Sequence, residues 1–159
     1  MHGPPRVSAW LFSRLGALYL RQGNKAEAVT FLEAAEQLNP SDYESLQNLA
    51  VAYRETGRVA DAERVLLSIV NSGEEYAPAY NELGMAAYQK GDLAAARGYF
   101  EKAARLEAAY QLNLGRLYKM MGDTAQARAC FEAFLAAKSS SPESLRVLPQ
   151  VKEELARLQ

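Results

Sequence analysis

The stretch LGALYLRQGNKAEAVTFLEAA, Leu15 to Ala35, decides the fold. Extended outward, it holds two helical patterns, 9–22 and 25–38, parted by Gly23, a residue able to take the left-handed conformation that ends a helix. The same spelling then returns down the chain. Leu15-Gly16 is followed 34 residues on by Leu49-Ala50, 34 further by Leu83-Gly84, and 31 further by Leu114-Gly115. Tyr19, Tyr53 and Tyr118 lie four residues after those leucines, and Gly23, Gly57, Gly91 and Gly122 lie eight after. Ala28, Ala62, Ala96 and Ala127 keep the same beat, as do Leu32, Leu66, Phe100 and Phe131. Self-similarity at a fixed period of this length marks stacked units, none of which can bury its apolar face alone.

The first copy reads Phe12, Leu15, Gly16, Tyr19, Ala28, Leu32, Ala35, Pro40. This pattern resembles the tetratricopeptide repeat, and four consecutive copies cover about 9–141. The resemblance implies an all-α fold, a right-handed superhelix of antiparallel helix pairs, with the first helix of each pair lining a concave groove. Small residues at Gly16, Ala28, Gly84 and Ala96 would let paired helices approach closely. The expected organisation is a tail at 1–8, repeats at 9–42, 43–76, 77–107 and 108–141, and a capping helix at 142–159.

The ends differ. In SPESLRVLPQVKEELARLQ, Ser141 is placed to cap a helix that has Pro142 at its first position. Leu148, Val151, Leu155 and Leu158 form its stripe, and Pro149 should kink or split it. At the other end Ser8 is the expected N-cap, with Val7 and Phe12 as a hydrophobic staple. Trp10 and Leu11 then stand on the opening turn with no lid before them. Such an end suggests either a fragment of a longer protein or a surface covered by another chain.

Composition bounds the function. At 159 residues, 49% hydrophobic and 23% charged, the chain can bury a real core. Eighteen basic and nineteen acidic residues leave no global field for nucleic acid or an anionic membrane. No apolar run reaches transmembrane length, and the N-terminal stretch lacks a signal-type hydrophobic core. The single cysteine, Cys130, and single histidine, His2, cannot assemble a metal cluster or a histidine-dependent triad. We therefore expect no catalysis, cofactor or metal. The expected compartment is the cytoplasm, or the periplasm if a signal has been removed.

One junction is short. The spacing from Ala35 to Leu49 is 14 residues, but from Ala103 to Leu114 it is 11. The helices expected at 93–106 and 109–121 either meet through a tight turn near Glu107 or fuse, since eleven residues is close to three helical turns. Burial of neighbouring faces favours the turn. The longer junction NSGEEYAP, Asn71 to Pro78, reads as a surface loop.

Carrying over the family's groove positions selects Arg14 and Arg21 in the first repeat and Gln47, Asn48, Val51 and Arg54 in the second. The third supplies Asn81, Met85 and Tyr88, and the fourth Asn113, Arg116 and Lys119. Trp10, Ser13, Ala17, Leu20, Glu44, Glu55, Pro78, Glu82, Gln89, Ala109, Leu112 and Met120 complete the set. Asn48 and Asn113 occupy the position where, in some members, an asparagine amide grips an extended peptide backbone. Five basic residues against three acidic ones give these positions +2, a lean towards an acidic ligand. The clamp for acidic chaperone tails is not expected, because Ser13, Ala17, Pro78 and Glu82 stand where it needs basic groups or asparagine.

The expected function is a non-enzymatic scaffold that binds a peptide or helix of a partner protein. The alternatives are a self-association module, dimerising through the Trp10 end or the irregular fourth repeat, and an appendage of a larger enzyme.

Overall fold

The computed structural model describes residues 5–137 and 142–158, and every regular element among them is helical. They run α1 (Pro5–Arg21), α2 (Lys25–Leu38), α3 (Tyr43–Glu55), α4 (Val59–Val70), α5 (Ala77–Gln89), α6 (Leu93–Leu106), a 3₁₀ turn (Ala108–Tyr110), α7 (Gln111–Met120), α8 (Thr124–Ala136) and α9 (Pro142–Ala156). They form two compact units, divided within α5 between Ala86 and Ala87.

The repeating glycine makes the turn inside each pair. Gly23 and its three counterparts have φ near +80°, a conformation that would strain any residue with a Cβ. The residue after each glycine differs from pair to pair. Asp92 and Asp123 cap α6 and α8 by accepting from the backbone N–H of Ala95 and Gln126, at 3.0 and 3.1 Å. Asn24 and Arg58 at the same place make no such bond, so those helices rest on packing.

In the first unit the tightest approach is Gly16 on α1 against Leu32 on α2, both buried. A Cβ at Gly16 would lie 2.8 Å from Leu32 Cδ2 and closer still to its Cγ. Leu46 and Leu49 of α3 and Val65, Leu66 and Ile69 of α4 are buried. Tyr53 joins α3 to the preceding pair, donating to Glu33 Oε1 at 2.6 Å while Arg58 lies 4.3 Å above its ring.

The second unit repeats this device, with Tyr118 on α7 donating to Glu101 on α6 at 2.7 Å. In both pairs burial and then the carboxylate raise the phenol, whose pKa is pushed up to about 12. The core of this unit is Ala127, Phe131, Phe134 and Val151, with Leu112, Leu148, Leu155 and Leu158 against it. The expected stripe of α9 therefore faces α8. Its other side presents Lys152, Glu153 and Arg157 to solvent, as a capping helix requires.

The short junction is a tight turn. Glu107 is extended (φ −139°, ψ 122°), which stops α6, and Ala108–Tyr110 form one 3₁₀ turn into α7. Two local expectations differ from the structure. Helix α1 starts at Pro5, so Ser8 lies inside it and is no N-cap; proline is well suited to the first helical turn, where its missing N–H costs nothing. Pro149 does not split α9, which continues across it. Ser141 lies outside the described residues.

Candidate functional site

The first unit places a polar cluster where α3 meets α5. Arg54 Nε faces Glu82 Oε2 at 3.4 Å, with side chains only 18% and 12% exposed. Neither of these two atoms completes a hydrogen bond. Asn81 Nδ2 donates to the other carboxylate oxygen at 3.4 Å. Burial raises the Glu82 carboxyl above its ordinary range, and the attraction of Arg54 and the contact with Asn81 oppose that rise. Asn81 is itself buried, so it meets its neighbour and not the open surface expected of it.

On the same two helices Asn48 and Val51 of α3 and Met85 of α5 are half-buried. Gln47 accepts from the Tyr76 hydroxyl at 3.0 Å, and the Tyr76 ring lies 5.8 Å from that of Tyr43. The segment read as a plain surface loop thus contributes a tyrosine that fixes Gln47. On α1, Arg14 and Arg21 are exposed, and the Arg14 guanidinium lies 5.7 Å from the centre of the Trp10 ring.

In the second unit the corresponding positions are largely engaged. Glu154 of α9 takes both Arg116, at 3.2 Å, and Lys119, at 3.5 Å. Leu112 packs into the α8–α9 cluster. The Tyr88 hydroxyl lies 3.1 Å from the sulfur of Met120, and Asn113 is half-buried.

Ion pairing therefore redistributes the charge counted from the sequence. Arg54 is matched by Glu82, Arg116 and Lys119 by Glu154, and Glu55 by Lys25 at 3.2 Å. What sequence reasoning missed is Glu154, which lies on the capping helix, 38 residues from Arg116. No groove position on a first helix points to it.

Cys130 is buried, and burial raises its thiol above the ordinary range, with Glu101 adding to the shift. No group of three or more histidine, cysteine or carboxylate side chains among the described residues could hold a metal ion. No helix among them is long and apolar enough to cross a membrane.

Comparison with known proteins gives three matches to tetratricopeptide-repeat families, over residues 9–84, 77–107 and 109–137. The protein FlbA of Caulobacter vibrioides is 30% identical over 152 residues, covering 92% of this chain. The chain spans about a quarter of that relative, 24% of its length. Among solved structures, the thermophilic TPR protein TTC0263 of Thermus thermophilus is similar, with a TM-score of 0.76, 26% identity, and coverage of 94% of this chain and 84% of that one. The type III secretion chaperone SycD of Yersinia enterocolitica, solved with a peptide of the translocator YopD, shares the fold. Its TM-score is 0.65 at 17% identity, over 73% of this chain and 91% of that one.

Proposed function

The chain belongs to the tetratricopeptide-repeat family, and from that premise we propose that it is a non-catalytic protein-interaction scaffold whose α3–α5 face binds an extended peptide of a partner. The observation that carries this reading is the buried Arg54–Glu82 ion pair held between α3 and α5, on elements that also carry the half-buried Asn48 amide.

Stability does not account for that pair. Two charges taken from water lose hydration worth several kcal/mol each, and replacing such a pair with apolar residues of similar size is often neutral or stabilising by about 1–4 kcal/mol. A ligand accounts for it better. An extended peptide presents alternating N–H and C=O groups: the half-buried Asn48 amide can meet both, while the Arg54–Glu82 pair, whose facing atoms are shut from solvent, orients the Arg54 side chain. SycD, which shares this fold, was solved with a peptide of another protein, and that likeness supports the reading as analogy only.

The remaining positions carry less. Glu154 engages Arg116 and Lys119, so the basic positions of the second unit are not needed by this proposal. An acidic stretch of the ligand would lie against α1, where Arg14 and Arg21 are exposed.

The test is the double variant Arg54→Met/Glu82→Leu, compared with wild type and Asn48→Ala in partner capture from the source lysate. We expect the double variant to fold at least as stably as wild type and to lose the captured partner. Undiminished capture by that folded variant would refute the site.

A further inference from the structure

The second unit holds one of the chain's own carboxylates against two cations of α7. Arg116 and Lys119 are three residues apart, so they share one side of the helix, where like charges repel. Glu154 of α9 answers both, its Oε1 facing Arg116 Nη2 at 3.2 Å and its Oε2 facing Lys119 Nζ at 3.5 Å. Exposure is uneven across the contact. The Glu154 side chain is 13% exposed, whereas those of Arg116 and Lys119 are 39% and 41% exposed, so the carboxylate is the covered member and the cations stay open to water.

Neither charge nor donors are used up. Two cations against one carboxylate leave a net positive site. A guanidinium and an ammonium each carry several N–H donors, and this contact takes one from each. Beside the cations Met120 is exposed, with the Tyr88 hydroxyl 3.1 Å from its sulfur, so an adaptable apolar side chain adjoins them. The openness belongs to the face: Arg21, Glu55 and Gln89, at the repeat position of Met120, are exposed in each earlier repeat. The helix that carries Glu154 is seated by other means. Val151 is fully buried against Phe131 and Phe134, with Leu148, Leu155 and Leu158 on the same cluster, and an ion pair with half-open partners adds little to that. The contact says more about what the two cations accept than about what holds α9.

We propose that Arg116 and Lys119, with Met120 beside them, form a binding site for an acidic peptide segment of another protein, a glutamate or aspartate next to an apolar residue, and that Glu154 is its built-in competitor. The partner's carboxylate takes over donors that Glu154 holds in the free protein, and the apolar neighbour packs on Met120. The site lies within the second unit and stands independently of the α3–α5 face. If Glu154 holds the cations for about nine-tenths of the time, the apparent affinity for an outside carboxylate falls about tenfold.

The probes are two capped serine-glycine peptides of about ten residues, one with leucine, glutamate, glutamate, leucine at its centre and the other with glutamine in place of each glutamate. In calorimetric titration we expect Glu154→Gln to bind the glutamate peptide about tenfold more tightly than wild type, with the gain shrinking as salt is added. The glutamine peptide should gain nothing. Adding Arg116→Gln/Lys119→Gln to Glu154→Gln should erase the gain with helical circular dichroism unchanged. A contact that only braces α9 predicts lower thermal stability and no new binding. The proposal is overturned if folded Glu154→Gln binds no more tightly than wild type, or if the gain survives loss of both cations. Should Glu154→Gln not fold, Glu154→Asp keeps the charge on the cap but withdraws it by one methylene, and must tighten binding of the glutamate peptide about threefold; no tightening overturns the proposal as well. A phosphoserine peptide that outcompetes the glutamate one would assign the cations to phosphate, and a doubled mass in sedimentation without peptide would assign them to a second copy. Either result overturns it.

Discussion

Replacing Gly16 with alanine sets two opposed effects against each other, and the structure decides between them. In a helix interior alanine is favoured over glycine by about 1 kcal/mol, through backbone entropy. Carbon atoms in good contact lie about 3.5–4.0 Å apart, whereas the new Cβ would sit 2.8 Å from Leu32 Cδ2. Leu32 is 0% exposed and has nowhere to retreat. Overpacking of this kind costs about 1–3 kcal/mol and at times more. We therefore expect Gly16→Ala to destabilise the protein by about 1–2 kcal/mol net. Gly98 on α6 is the control, since a Cβ there meets nothing within 4 Å. With the same backbone gain and no clash, Gly98→Ala should stabilise by about 0.5–1 kcal/mol. Urea unfolding followed by circular dichroism reads both, and Trp10 emission follows the first unit separately. If Gly16→Ala proved as stable as wild type or more so, the close α1–α2 approach would be wrong.

Two further outcomes concern the titrating groups. Tyr53 and Tyr118, with ordinary values of 10.0, ionise near about 12 in the fold. Their contribution to stability is complete below pH 10 and is lost as pH rises towards 12, so tyrosinate absorbance should show two late-titrating groups and thermal stability should fall across that window. The Cys130 thiol, buried and raised, should react with a thiol reagent far more slowly in the native protein than in denaturant. Equal rates in both would show the thiol to be open to solvent.

The helix pairs were legible because the repeat spells out its own contacts. Gly16, Ala28, Leu32 and Phe131 recur at positions where the packing admits one size of side chain, and all are buried. The tight turn at Glu107 was legible as well, since a missing loop still leaves apolar faces to cover. The start of α1 was not. Pro4-Pro5 reads as a break from the front and as a first turn from behind, and local sequence does not choose. Among the candidate groove residues, the helix face was readable but its electrostatics were not. Arg54 meets a carboxylate 28 residues away, and Arg116 meets one on another helix. Such pairings depend on how helices lie against each other, which a count of charges does not contain. The tyrosine–glutamate pairs fall between these cases. Tyr53 with Glu33, and Tyr118 with Glu101, occupy equivalent repeat positions, 20 and 17 residues apart because the junction before α7 is short, and the third repeat lacks the pair since Ala87 stands at the tyrosine position.

The extended backbone at Glu107 has a consequence for how the chain would tolerate an insertion or deletion. A continuous helix transmits phase, so that adding three residues would turn everything downstream by about a sixth of a revolution. Because Glu107 interrupts the helix and Ala108 and Ala109 are exposed, the orientation of α7 is not dictated by the residue count of α6. The junction acts as an expansion joint, where residues can be added or removed while the helices on either side keep their own registers.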